Sequence, residues 1–182
     1  MKKIRLATVW LDGCAGCHMS ILDLDEAILA IAKRVDVVYG PLVDAQEFPK
    51  QVDVAVIEGA VSSQDDLEKL RSVRQRSKLL VALGDCAVTG NVPAMRNQIP
   101  TRKLLERIYL EGAQECPGIP TNGVPTLLRQ AVPLQEVVKV DLHVPGCPPS
   151  AQAIAYVLTE LVEGRIPDPG RAGSASCQLK FG

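Results

Sequence analysis

The chain has 182 residues, a length typical of a single domain that buries enough surface, roughly 70% of its unfolded total, to fold without disulfide bonds. Its formal charge of -1 and its aromatic content of 3% argue against a nucleic-acid-binding surface, which needs basic patches and stacking rings. The composition leaves one feature to explain, a set of six cysteines.

The first part of the sequence predicts strands separated by one helix. Residues 4–11 predict a strand, and apolar residues that recur every three or four positions between 20 and 34 predict an amphipathic helix. Two more strands are predicted at 35–39 and 52–57, and their richness in Val and Ile suits strands that are buried on both faces.

The pattern continues in the second part of the sequence. Residues 62–66 predict a helix N-cap with an acidic first turn, and the basic residues at 74–78 suit the other end of the same helix. Strands are predicted at 79–83 and 137–144. The sequence Pro-Pro-Ser then begins a helix over 151–163, which Gly and Pro terminate.

This order of elements predicts an α/β fold, an open parallel sheet with helices on both faces. Residues 88–133 are less regular, and only 102–111 predict a helix there. Residues 167–182 form a polar C-terminal tail. We find no internal repeat and no second domain, so we expect residues 1–182 to form a single domain.

The amino-terminal residues indicate a cytoplasmic protein. The apolar run after Met-Lys-Lys is too short for a signal-peptide core, and no apolar run reaches the roughly 18 residues that cross a bilayer. We therefore expect no membrane partner. In a reducing compartment, cysteines serve as thiols or metal ligands more often than as disulfides.

Four cysteines follow the ends of predicted strands. Cys14 and Cys17 follow the first strand, Cys86 follows the fourth, and Cys147 follows the fifth, each with glycine nearby. The carboxyl ends of parallel strands meet at one edge of a sheet, so these four thiolates can converge on one site. Soft thiolates suit an iron–sulfur cluster or zinc.

Three other interpretations compete with a cluster. Structural zinc commonly uses two local cysteine pairs, whereas this chain has one Cys-x-x-Cys and two single cysteines. A redox dithiol at Cys14 and Cys17 would not require the other two positions. Burial as small apolar side chains suits Cys116 and Cys177, which lie in a loop and in the tail.

Four motifs occur together between residues 4 and 165. They are Cys14-x-x-Cys17, Glu58-Gly59-Ala60, Gly84-Asp85-Cys86-Ala87 and Pro145-Gly146-Cys147-Pro148-Pro149. The combination resembles the small subunit of [NiFe] hydrogenases, and the last two motifs also resemble the 20 kDa subunit of respiratory NADH:quinone oxidoreductase. The resemblance implies a flavodoxin-like fold.

The resemblance also implies one [4Fe-4S] cluster, held by Cys14, Cys17, Cys86 and Cys147. The nickel–iron centre would lie on a separate large subunit, so this chain would relay electrons away from that centre. Members with further clusters look longer and carry a twin-arginine signal, and this sequence shows neither feature. The chain is therefore most similar to the small subunit of soluble, NAD-reducing hydrogenases, and the expected partners are the large subunit and diaphorase subunits with FMN and further clusters.

The quinone-reducing relative typically has adjacent cysteines where this chain spaces Cys14 and Cys17 two residues apart. That spacing favours the hydrogenase, with a cluster-bearing subunit of an NADH:quinone oxidoreductase-like complex as the alternative. A non-redox module with a structural zinc site is a second alternative. Asp85 stands where many relatives carry a small hydroxyl residue, so the sequence leaves open how Asp85 hydrogen-bonds near Cys86.

Glu58 has two interpretations: an exposed residue at a strand end, or a proton-transfer or interface residue facing the large subunit. His18 is expected to be a simple loop histidine or a donor to a cluster sulfur, and His143 a core histidine. Trp10 would face the partner or the core. We do not expect FMN on this chain, since it has no phosphate-binding loop and few aromatic rings, although the strand ends of such a fold can cradle a flavin.

Overall fold

Seven strands and seven α-helices lie within residues 3–168, the part of the chain that the computed structural model describes. The strands are β1 (Ile4–Trp10), β2 (Val35–Tyr39), β3 (Val52–Glu58), β4 (Val61–Ser63), β5 (Ser77–Leu83), β6 (Leu127–Val132) and β7 (Leu142–Val144). The helices are α1 (Gly16–Leu22), α2 (Ala27–Ala32), α3 (Gln64–Arg76), α4 (Asp85–Thr89), α5 (Asn91–Ala94), α6 (Thr101–Glu106) and α7 (Ala151–Val162).

Five of the strands form one parallel sheet in the order β2-β1-β3-β5-β7. This order is typical of doubly wound sheets, in which the chain turns to opposite sides after β1 and β3 and leaves a crevice at their carboxyl ends. The predicted α/β fold with an open parallel sheet is confirmed.

The sheet separates two apolar cores. Alternate residues of β3 point to opposite faces, so Val54 and Val56 join one cluster while Ala55 and Ile57 join the other. Helix α7 packs on the first face beside α1 and α2, and α3 packs on the second. Helices on both faces explain why β3 and β5 are buried along most of their length.

Helix α3 begins with a capping box. The Ser63 hydroxyl accepts from the Asp66 amide at 3.1 Å, and the Asp66 carboxylate accepts from the Ser63 amide at 2.9 Å. Asp65 adds to the acidic first turn, and Arg74 and Arg76 lie in the last turn. The predicted cap and charge pattern of this helix are confirmed.

The single helix predicted over 20–34 is wrong, because the structure has two short helices there. Helix α1 ends at Leu22 and α2 begins at Ala27, and Asp25 between them has a positive φ of 49°. Leu24 lies in this turn and is only 7% exposed in the apolar core. Burial of Leu24 outweighs the helical periodicity, which continues through the break.

The strand predicted over 137–144 is shorter than expected and begins at Leu142. Residues 137–140 contribute apolar side chains to the second core instead of pairing with β5. The Arg74 guanidinium donates to the Lys139 carbonyl at 3.3 Å and to the Asp141 carboxylate at 2.5 Å. The same carboxylate accepts from the Leu80 amide at 2.9 Å, so a side chain takes the place of a ladder hydrogen bond.

We expect Asp141→Asn to lower the free energy of unfolding by about 1 kcal/mol at pH 7, since the carboxylate loses its charge-assisted bond to Arg74. Partial burial alone would raise the pKa of Asp141, but hydrogen bonds from Arg74 and the Leu80 amide hold it below its ordinary value. The stabilisation is therefore complete above roughly pH 4 and is lost as the pH falls through the folded-state pKa.

Urea unfolding of the wild-type chain and the Asp141→Asn variant between pH 7 and pH 3 measures this difference. Asp36→Asn, which changes an exposed carboxylate on β2, serves as the control. A difference between wild type and Asp141→Asn that persists undiminished at pH 3 would contradict the assignment.

The irregular region 88–133 contributes one strand, β6, to a second, two-stranded sheet that no sequence pattern predicted. Strand β6 pairs antiparallel with β4, and the Asn97 side chain bonds both the amide and the carbonyl of Ala131 at 2.8 and 2.7 Å. The helix predicted over 102–111 is present as α6 followed by a π-helical turn, Arg107–Glu111.

Of the predicted tail 167–182, only Pro167 and Asp168 lie within the described residues. Pro167 is fully buried, and the Asp168 amide donates to the Tyr156 hydroxyl at 3.2 Å. The rest of the tail, including Cys177, lies outside the described residues. Over residues 3–168, no helix combines the length and the apolar character that a membrane crossing requires.

Candidate metal centre

Four cysteines line one cavity of about 110 Å³ at the carboxyl edge of the parallel sheet. The strands β1, β3, β5 and β7 all end at this edge. The lining residues are Gly13, Cys14, Gly16, Cys17, Glu58, Gly59, Asp85, Cys86, Gly146, Cys147 and Pro148. The structure thus brings together Cys14, Cys17, Cys86, Cys147 and Glu58, which the sequence places at separate strand ends.

The first two cysteines lie where β1 passes into α1. Ala15 has a left-handed conformation with φ 63°, which turns the chain sharply so that α1 begins at Gly16 and Cys17 lies in its first turn. A side chain at Gly16 would place its Cβ 3.3 Å from the Cys14 Sγ. Glycine there lets the backbone pass close to the first thiol.

The third cysteine follows a glycine that the site requires for two reasons. Gly84 has φ 83°, a conformation that favours glycine, and it precedes Cys86 at the start of α4. A Cβ on Gly84 would lie 2.2 Å from the Cys17 Sγ, well inside contact distance. The loops that carry Cys17 and Cys86 therefore pack directly on each other.

The fourth cysteine lies in the loop between β7 and α7. Cys147 and Cys14 are exposed, whereas Cys17 and Cys86 are half-buried, so the cavity opens to the surface on one side. The Gly146 amide donates to the Asp85 carboxylate at 2.7 Å. Through this bond the Asp85 side chain links the third cysteine loop to the fourth.

Glu58 is buried, with 3% exposure, so its interpretation as an exposed strand-end residue is wrong. Its Oε2 accepts from the His18 amide at 2.7 Å and lies 2.6 Å from His18 Nδ1. His18 is also buried and lies in α1, so it is not the simple loop histidine that we expected. Its ring meets the half-exposed Trp10 edge-on, with 5.4 Å between the centroids.

The Glu58–His18 pair fastens the end of β3 to the first turn of α1, which carries Cys17. The sequence contained part of this signal, since His18 follows a cysteine and Glu58 ends a strand at the same edge. Only the parallel pairing of β1 with β3, which places Trp10 opposite Glu58, brings the two side chains into contact. His143, expected in the core, is only half-buried in β7.

The thiols crowd one another. Burial raises the pKa of Cys17 to about 12, and the negative charges of Glu58 and the other three cysteines add to this rise. Burial also raises the pKa of Cys86, although a hydrogen bond from the Val92 amide opposes the change. Four thiolates can coexist here only if a cationic group compensates their charge, as a metal centre does.

The cavity suits a group of several atoms. One water or ion needs about 10–15 Å³ of such space, far less than this cavity offers. Cysteine sulfurs are the ligands that hold iron–sulfur clusters. Over the described residues, no three His, Cys, Asp or Glu side chains are grouped as ligands of a single metal ion.

Cys116 lies apart from this cavity. It is exposed, with a positive φ of 49°, in the loop after the π-helical turn. Its interpretation as a buried apolar side chain is therefore wrong.

Comparison with known proteins identifies relatives across most of the chain. Residues 14–161 match the family described as NADH ubiquinone oxidoreductase, 20 kDa subunit. The delta subunit of the NAD-reducing hydrogenase HoxS of Cupriavidus necator is 39% identical over 168 residues, which are 90% of this chain and 80% of that protein. One subunit of the F420-non-reducing hydrogenase vhu of Methanocaldococcus jannaschii is 33% identical over 166 residues, which are 90% of this chain and 58% of that protein.

Solved structures that resemble this chain also come from hydrogenases. A chain of an NAD+-reducing [NiFe]-hydrogenase in the H2-reduced state has a TM-score of 0.87 and 41% identity, and the match covers 92% of this chain and 95% of that chain. A chain of the [NiFeSe]-hydrogenase of Dm. baculatum has a TM-score of 0.57 at 18% identity over 92% of this chain and 67% of its own, a likeness of fold alone.

Proposed function

This chain belongs to the family of the NADH ubiquinone oxidoreductase 20 kDa subunit, and from that premise we propose that it is the electron-transfer small subunit of an NAD-reducing [NiFe] hydrogenase. It would thus be one subunit of an oxidoreductase. Its 39% identity to the HoxS delta subunit and the 95% coverage of the matching hydrogenase chain support this choice within the family.

The observation that carries the proposal is the single cavity shared by Cys14, Cys17, Cys86 and Cys147. These four residues would hold one [4Fe-4S] cluster, which when bound supplies one-electron redox chemistry. The ends of β1, β5 and β7 fix the thiols around the cavity, and glycines let the backbone approach it closely.

A relay of electrons requires partners on either side of this chain. We propose a large subunit that holds the nickel–iron centre, and diaphorase subunits that carry FMN, further clusters and the NAD site. Exposed apolar side chains in the segment after Cys86 support burial against another chain. They are Val92, Met95, Ile99 and Ile108. We propose no nucleic acid or membrane partner, and a cytoplasmic location.

Metal and sulfide analysis of the anaerobically purified chain tests the cofactor. We expect about four iron and four sulfide per chain. One zinc without sulfide would instead indicate the structural-zinc module. Flavin analysis of the isolated chain should find no FMN.

The co-purified complex tests the partners, and hydrogen-dependent NAD reduction is the expected activity. Quinone reduction by a membrane-bound complex, without hydrogen uptake, would favour the NADH:quinone oxidoreductase alternative.

Glu58 lies at this same cavity, and we propose that it serves at the large-subunit interface, in proton transfer or in a bond to a partner residue. Its Oε2 is bonded to His18, while its Oε1 lies near Gly13, which also lines the cavity. Glu58→Gln keeps the shape and an acceptor for the His18 amide but removes the charge. We expect hydrogen turnover of the assembled enzyme to fall about 100-fold or more, as for loss of an acid–base group.

Iron content, hydrogen uptake and hydrogen–deuterium isotope exchange of the Glu58→Gln enzyme measure this effect. Glu68→Gln, which neutralises an exposed carboxylate on α3 that does not line the cavity, is the control. Full turnover and isotope exchange in Glu58→Gln would refute the role.

A further inference from the structure

The loop that carries Cys147 is fastened on one side by Asp85. The Gly146 amide donates to the Asp85 Oδ1 at 2.7 Å, and the Asp85 amide donates to the Gly146 carbonyl at 2.8 Å. These two reciprocal bonds join the residue before Cys86 to the residue before Cys147. They fix the spacing of two of the proposed ligands.

The other end of the same loop is fastened by Ser20. Its hydroxyl donates to the Pro149 carbonyl at 2.6 Å, and Ser20 is only 5% exposed. Ser20 lies in α1, one turn after Cys17. The bond therefore ties the helix of the second ligand to the loop of the fourth.

The loop depends on such side chains because its own backbone offers few hydrogen bonds. Three of its five residues are prolines, which have no N–H, so Gly146 and Cys147 supply the only amide donors between residues 145 and 149. Gly146 has φ 135°, and a Cβ there would lie 2.6 Å from the Pro149 Cα. A loop with this composition cannot rely on a ladder or a helix to hold its shape.

We propose that Asp85 and Ser20 are positioning residues that hold Cys147 at the cavity before any metal group binds. Neither side chain is a proposed ligand; each acts on Cys147 through a neighbouring residue of its loop. The inference rests on the proposed function, because it takes Cys147 as a ligand. Removal of a side chain that orients a metal ligand commonly lowers metal affinity 10–100-fold.

Two measurements on the full chain test the proposal. The first is the hydrogen–deuterium exchange rate of the Gly146 amide in the metal-free chain, measured by NMR. The second is the rate at which the iron-loaded chain loses iron to a chelator. The variants are Asp85→Ala, Asp85→Asn and Ser20→Ala, with Asp36→Ala, an exposed carboxylate on β2, as the matched control.

We expect Asp85→Ala to speed Gly146 exchange and to speed iron loss about 10-fold or more. Asp85→Asn should restore both rates towards wild type, because its amide carbonyl still accepts from Gly146. Ser20→Ala should speed iron loss while changing Gly146 exchange less, since its bond is to Pro149.

Two results would overturn the positioning roles. One is that Asp85→Ala and Ser20→Ala match Asp36→Ala in both measurements; the other is that Asp85→Asn fails to rescue. A wild-type chain that binds no iron would overturn the proposed function instead, and the exchange of Gly146 would still decide whether Asp85 holds the loop.

Discussion

Cys86→Ser and Cys147→Ser are each expected to lose most of the roughly four iron atoms of the proposed cluster. Each variant replaces a soft thiolate with a hydroxyl, which is a poor ligand for iron in such clusters. The two cysteines lie on different loops of one cavity, so neither can take over the position of the other. The cluster should therefore become incomplete or fail to assemble.

Cys116→Ser and Cys177→Ser are the matched controls, with the same change of chemistry. Cys116 is exposed in a loop away from the cavity, and Cys177 belongs to the tail beyond the described residues. Both variants should keep the iron and sulfide content of wild type and its electron paramagnetic resonance spectrum after reduction. Equal loss of iron in all four variants would refute the assignment of ligands.

Gly84→Ala is expected to destabilise the folded chain by about 3 kcal/mol and to abolish iron binding. With φ 83° and ψ 163°, Gly84 lies in a backbone region that only glycine adopts readily, which costs an L-residue about 1–3 kcal/mol, and overpacking adds about 1–3 kcal/mol. The added Cβ would lie 2.2 Å from the Cys17 Sγ, so either the thiol or the β5–α4 turn must move. Both movements displace a proposed ligand.

Gly164→Ala is a control for an added methyl group at a glycine with positive φ but no close neighbour. Gly164 has a similar φ of 75°, but nothing lies within 4 Å of the Cβ that it would gain. This control should lose only about 1 kcal/mol, in keeping with the conformational penalty alone, and should bind iron normally. Urea unfolding and iron analysis of both variants provide the measurements. Normal iron content in Gly84→Ala would contradict the close packing of the two loops.

Several features were predictable because they depend on neighbours in sequence. The strands and the capped helix α3 follow from apolar runs and from the Ser63–Asp66 box, both local signals. The edge of the sheet at which the cysteines lie follows from one topological rule, that parallel strands end together.

Other features depend on residues far apart in the chain. The break after α1 follows from burial of Leu24, and the shortened β7 from the bonds of Arg74 and Asp141, which no local pattern contains. The pairing of β4 with β6 joins segments more than 60 residues apart, so its partner could not be read from either segment alone.

The sequence by itself determined the α/β class and put four cysteines and Glu58 at one edge of the sheet, because strand direction and glycine-rich turns are encoded locally. Only the tertiary structure decided how that edge is built. It buried Glu58 against His18, packed Gly84 on Cys17 and joined Asp85 and Ser20 to the Cys147 loop. These contacts link residues 40 to 129 positions apart, and such contacts arise only when the sheet brings its strands together.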